Sequence, residues 1–85
     1  MNNKTYDYLV EKHGNRMIPL SEAAGYIGIT SLKFAVEKAA KFDLPFPAFP
    51  AGKRRETWLV NAEHLADYLD RLDREWTEKF NYKNG

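Results

Sequence analysis

The stretch Pro19-Leu20-Ser21-Glu22-Ala23-Ala24-Gly25-Tyr26-Ile27-Gly28-Ile29-Thr30-Ser31-Leu32 constrains the fold more than any other part of the chain. Ser21 is placed to cap a helix whose first turn carries Glu22, where a carboxylate suits the positive end of the helix dipole. Leu20, Ala23, Ala24 and Ile27 give that helix an inward face only two turns long. Gly28 then stops it, and Thr30 or Ser31 caps a second helix almost at once. Two short helices joined in this way cross steeply, and the small Ala24 lets them come close. The pattern is that of a helix-turn-helix. A plain helical hairpin in an unrelated fold would share it.

The second helix is expected from about Ser31 to Phe42, with Leu32, Ala35, Val36, Ala39 and Phe42 on one buried stripe. Lys33, Phe34, Glu37, Lys38 and Lys41 occupy the other side. With Ser31, the polar members of that side are candidate contacts in a DNA major groove, and they also suit a merely solvated face. Phe34 fits a thymine methyl, or packing under the N-terminal helix or at a subunit contact. Upstream, Tyr6, Leu9 and Val10 predict a short helix over Thr5–His13, ended by Gly14. Met17-Ile18-Pro19-Leu20 reads as extended chain.

Downstream, Leu44-Pro45-Phe46-Pro47-Ala48-Phe49-Pro50 is too rich in proline for a central strand and reads as an extended edge. A turn, Ala51-Gly52-Lys53-Arg54-Arg55-Glu56, leads into Thr57-Trp58-Leu59-Val60, a β-type run. Edge, turn and return make a hairpin with a cationic tip. Lys53, Arg54 and Arg55 are therefore candidate phosphate contacts, the arginines first because their guanidinium forks match phosphate oxygens. Charge for solubility alone is the competing explanation.

The chain is nearly neutral, at +1, yet its charge is uneven. Residues 33–60 hold six basic against three acidic side chains, whereas residues 61–85 hold four against six. A local basic surplus in a neutral chain suits one anionic partner surface, or ordinary fluctuation.

Asn61 is expected to cap a long C-terminal helix over residues 62–80, with Asn81 to Gly85 frayed. Leu65, Leu69, Leu72, Trp76 and Phe80 form its apolar stripe, flanked by the i,i+4 pairs Asp67–Arg71, Asp70–Arg74 and Glu75–Lys79. The first half can cover a core of residues 17–72. Leu72, Trp76 and Phe80 run past it, either to dimerise with a second protomer or to fold back on the N-terminal helix.

With 85 residues, 44% of them hydrophobic, the chain suits a single domain with one core. It has no cysteine, which removes disulfides, thiolate metal sites and cysteine catalysis, and which fits a reducing cytoplasm. No signal-peptide core or membrane-length apolar run is seen. His13 and His64 are far apart and lack metal-ligand spacing, and no phosphate loop or nucleophile elbow occurs. No enzyme activity, metal or cofactor is expected.

The fold class expected is mainly α with a small β-hairpin, a winged helix-turn-helix carrying an added N-terminal helix and a long C-terminal one. In order, Ile18-Pro19-Leu20, Ile27-Gly28-Ile29-Thr30, Lys38-Ala39-Ala40, Leu44-Pro45-Phe46-Pro47 and Leu65-Ala66-Asp67-Tyr68-Leu69-Asp70 resemble the pyocin activator protein (PrtN-like) family, over roughly residues 8–74. More broadly, Ser21-Glu22-Ala23-Ala24, Gly52-Lys53-Arg54-Arg55 and Asn61-Ala62-Glu63-His64-Leu65 are similar to excisionase and MerR-type winged helices. The resemblance implies a regulator that binds double-stranded DNA and activates prophage or pyocin-like genes, with RNA polymerase as a possible partner. An excisionase bending DNA beside an integrase uses the same domain. A protein-interaction module gripping its partner through the Trp76–Phe80 helix is a third reading.

Overall fold

Asn3 and Gly14 bracket the first helix, α1 (Lys4–His13). The Tyr6 N–H donates to Asn3 Oδ1 at 3.0 Å, and Gly14, at φ 73°, donates to the Val10 carbonyl at 2.8 Å. In the computed structural model, which describes residues 3–84, there follow β1 (Met17–Pro19) and α2 (Leu20–Ala23), prolonged by a 3-10 turn over Ala24–Ile27. Then come α3 (Leu32–Ala40), β2 (Phe49–Pro50), a second 3-10 turn (Arg55–Thr57), β3 (Trp58–Asn61) and α4 (Ala62–Asn84). The protein is mainly helical, with a small three-stranded antiparallel sheet and a long C-terminal helix.

The sheet is larger than a hairpin, which corrects the sequence expectation. Its order is β1-β3-β2, with Ile18 facing Val60 and Pro50 facing Trp58. Ile18 and Val60 are fully buried and meet Leu9, Leu20, Leu65 and Ala35 in the core. Proline is tolerated in β2 because that strand lies on the sheet's edge, where a missing donor breaks no ladder. The proline-rich segment before it is not continuously extended. It turns so that Phe46 is buried edge-on against Tyr68, with ring centroids 5.9 Å apart.

Ser21 does not cap α2. Pro19, at φ −55° and ψ 137°, already has the extended geometry of a capping residue, so the helix starts at Leu20 and Ser21 falls in its first turn. Gly28 ends the following turn at φ 81°, in the left-handed region. Of the two capping candidates for α3, Ser31 does the work: its Oγ accepts the Phe34 N–H at 3.2 Å.

α3 ends at Ala40, two residues before Phe42, which is not part of the buried stripe. Phe42 is 94% exposed and sits at φ 55°. The Phe42 N–H donates to the Ala39 carbonyl at 3.0 Å, and the Asp43 N–H to the Lys38 carbonyl at 2.8 Å. These two bonds are the closure usually built around a glycine. Here a phenylalanine holds the left-handed position. Phe34 is half exposed, with the Lys38 ammonium 5.4 Å from its ring centre.

Asn61 Oδ1 accepts the Glu63 N–H at 2.9 Å, and α4 continues to Asn84, four residues beyond the expected end and through the stretch read as frayed. Gly85 lies outside the described residues. Ala62, Leu65 and Ala66 are buried, while α1 packs along α4 and Thr5 Oγ1 donates to Asp70 Oδ1 at 2.5 Å. None of the three i,i+4 charge pairs closes into an ion pair among the described residues.

Two substitutions test these backbone assignments in opposite directions. Gly28→Ala puts a Cβ into a left-handed residue and is expected to lower unfolding free energy by about 1–2 kcal/mol. Phe42→Gly relieves the same strain while removing an exposed ring, and is expected to raise stability by about 1 kcal/mol. Denaturant midpoints at constant m-value give both numbers.

Candidate nucleic-acid interface

The cations singled out in the sequence sit on two neighbouring elements. α3 carries Lys33, Glu37 and Lys38, with Ser31 at its cap and Lys41 just past its end. Lys53 and Arg54 lie in the turn after β2, and Arg55 opens the 3-10 turn that packs against α3. Ser31, Lys33, Glu37, Lys41, Lys53, Arg54 and Arg55 are all exposed. Leu72, Trp76 and Phe80 lie apart from them on α4, where Leu72 is partly buried and the two aromatics are exposed.

The cationic turn is closed by hydrogen bonds of its own. The Ala51 N–H donates to the Thr57 carbonyl at 3.0 Å, and Thr57 closes back on Arg54 through its own N–H at 3.1 Å and its hydroxyl at 2.6 Å. A Cβ on Gly52 would meet the Thr57 side chain at 3.3 Å, so glycine fits the tightest point of the loop. Three bonds to one threonine therefore fix the backbone from which Lys53, Arg54 and Arg55 project.

Lys38 differs from the other lysines. Its ammonium lies 3.1 Å from Asp43 Oδ2 and 5.4 Å from the centre of the Phe34 ring. The carboxylate and the ring face hold the cation in place on the solvent side of α3. Asp43 was not singled out from sequence, because a five-residue spacing that crosses a helix end follows no local pairing rule.

A further cation also escaped notice. Lys12, on α1, lies 5.7 Å from the Tyr8 ring centre and 5.6 Å from that of Tyr26. Charge interaction with Tyr26, and then with Tyr8, pushes its pKa above the ordinary 10.5. The Tyr8–Lys12 spacing of four was the available signal. Beside it, His13 Nε2 lies 3.1 Å from the Tyr26 hydroxyl and His13 Nδ1 3.4 Å from Glu22, joining α1 to α2 and to the 3-10 turn that prolongs it.

Comparison with protein families matches residues 5–75 to the family described as Pyocin activator protein PrtN. The chain belongs to that family. Its description is that of a regulator, an activator of pyocin genes. Comparison with curated proteins and with solved structures gave no match. The family match covers α1, the two short helices, the cationic turn and α4 as far as Glu75, and stops just before Trp76 and Phe80. Among the described residues no helix is long and apolar enough to cross a membrane.

The presentation of α3 rests on its cap. Ser31→Ala removes the acceptor for the Phe34 N–H and is expected to cost about 1 kcal/mol, whereas Ser31→Asp keeps it and should leave stability close to the parent. Thermal melts of the two variants beside the parent check this.

Proposed function

We infer that the protein is a winged helix-turn-helix regulator that binds double-stranded DNA in the cytoplasm and activates transcription of pyocin-like, prophage-derived genes. α3 enters the major groove, with Ser31, Lys33, Glu37, Lys38 and Lys41 facing bases and phosphates. Lys53, Arg54 and Arg55 follow the adjacent backbone as the wing. The observation that carries this reading is the packing of the arginine-bearing 3-10 turn against α3. It sets two separate cationic segments of the chain side by side, at the spacing of neighbouring elements. Membership of the activator family supports the regulatory part of the reading. RNA polymerase is the expected protein partner of an activator at its promoter.

Phosphate contacts release counterions, so affinity must fall steeply with salt. With roughly four to six phosphates neutralised, the slope of log K against log salt is expected near −4 to −5 in gel-shift titrations on the promoter of phage-like genes. Replacing Arg54 and Arg55 with Ala is expected to flatten that slope by up to about 2. Absence of a shifted band at low salt overturns the reading. Phased sites beside an integrase gene, with none at promoters, would replace activation by excision.

Asp43→Asn gives an opposite signature. It releases the Lys38 ammonium from its carboxylate, so binding should tighten and the slope should steepen by up to about 1. An unchanged slope with weaker binding would instead make Asp43 an orienting group for Lys38.

A further inference from the structure

α4 extends well past the core. Its 23 residues span about 34 Å at the ordinary helical rise, within a molecule 50 Å long. Burial is confined to its first half, and Trp76 and Phe80 are 62% and 66% exposed. Leu72, Trp76, Phe80 and Lys83 share one stripe, each within about 40° of Trp76 around the helix.

We propose that this half of α4 pairs with the same segment of a second copy in antiparallel orientation, Trp76 of each chain packing on Phe80 of the other. The charge pattern selects both the occupant and the direction. Asp73, Glu75 and Glu78 balance Arg74, Lys79 and Lys83, so two copies meet without net repulsion. Glu75, Lys79 and Lys83 form one i, i+4, i+8 row that starts on one edge of the stripe and drifts into it, with Asp73 on the opposite edge. A two-fold axis across the helices reverses the second one and keeps like edges together. With Trp76 opposite Phe80, Glu75 then falls between Lys79 and Lys83 of the second copy. A parallel pair brings unlike edges together and sets Glu75 against Asp73.

In the single chain the Lys79 ammonium lies over the Trp76 ring, 4.3 Å from its centre. On pairing it moves to the second copy's Glu75 and uncovers the indole for Phe80. The exposed parts of the four rings remove roughly 500–600 Å² from water, to which Leu72 and the lysine stems add. Even with these additions the total stays below the roughly 1,200 Å² of stable interfaces and in the range of weak, transient ones, so the dimer is on the order of tens to hundreds of micromolar in affinity.

Sedimentation equilibrium of the full chain tests the proposal. The apparent mass is expected to rise from one chain toward two across the micromolar range. Trp76→Glu with Phe80→Glu should leave a monomer of unchanged helicity. Glu75→Lys should weaken the dimer by about tenfold or more, since 1.4 kcal/mol suffices for that. Adding Lys79→Glu and Lys83→Glu to it should restore pairing. Because the chain has no cysteine, direction is read by disulfide formation. Leu72→Cys and Lys83→Cys chains, which lie level on the same side of the stripe in the antiparallel pair, should cross-link with each other faster than either does with itself. A parent that stays monomeric at millimolar concentration overturns the proposal. So do a dimer indifferent to the Trp76 and Phe80 changes, a charge reversal without rescue, and faster self-cross-linking of each cysteine variant.

Discussion

Strand β3 is hydrogen-bonded along both edges, and the rest of the arrangement hangs from that fact. On one side it pairs with β1, bringing Met17–Pro19 against Leu59–Asn61 and closing a loop that contains both short helices and the cationic turn. On the other it pairs with β2 and defines where that turn begins. The Ala62 N–H donates to the Arg16 carbonyl at 2.7 Å, so the start of α4 is tied to the start of β1 as well. Closing a loop of that length costs conformational entropy that short strands alone would not offset. Burial of Ile18 against Val60, with Leu9, Leu20 and Leu65 around them, supplies the compensating hydrophobic term.

Much of this was legible where a residue type has a single backbone use. Gly14 and Gly28 marked helix ends because both adopt positive φ, which glycine alone takes without strain. Ser31 was readable as a cap, and Asn61 likewise, since a short polar side chain can meet the first free N–H groups. The errors have the same logic in reverse. Phe42 occupies a glycine position, so nothing in the sequence signalled that α3 stops at Ala40. Pro19 displaced Ser21 as the capping residue because a proline already holds extended geometry. β1 was missed as a strand because three residues ending in proline carry no periodicity, and their partner lies some forty residues away. Sequence reasoning placed the candidate cations on α3 and the turn, yet only packing reveals that these two segments are neighbours.

The candidate surface is shaped as much by acids as by bases. Asp43 occupies Lys38, while Glu37 interrupts the lysine row on the same helix. Exposed ion pairs of this kind contribute little to stability, because water screens them and ordering two side chains costs entropy. Their stronger effect is on the field that an approaching anion meets. Tethering one lysine and leaving Lys33 and Lys41 exposed favours a partner that offers geometry as well as charge. A uniformly basic face would hold any polyanion.

The distal half of α4 raises a different question: how a helix stays folded with its aromatic side chains in water. A peptide of about a dozen residues is a marginal helix by itself, because nucleation is unfavourable. Here nucleation belongs to the buried first half, where Ala62, Leu65 and Ala66 fix the helix and Asn61 caps it. Each residue beyond Leu72 adds one hydrogen bond by propagation alone, which is close to neutral in free energy. Continuation of the helix therefore does not require a partner. The exposed Trp76 and Phe80 are the unexplained part, because propagation needs helix formers, not aromatic rings. Glutamate, lysine or alanine at either position would propagate better and keep the surface polar. The choice of two large aromatics on one stripe, bordered by a charge row, is a statement about contact and not about helix stability.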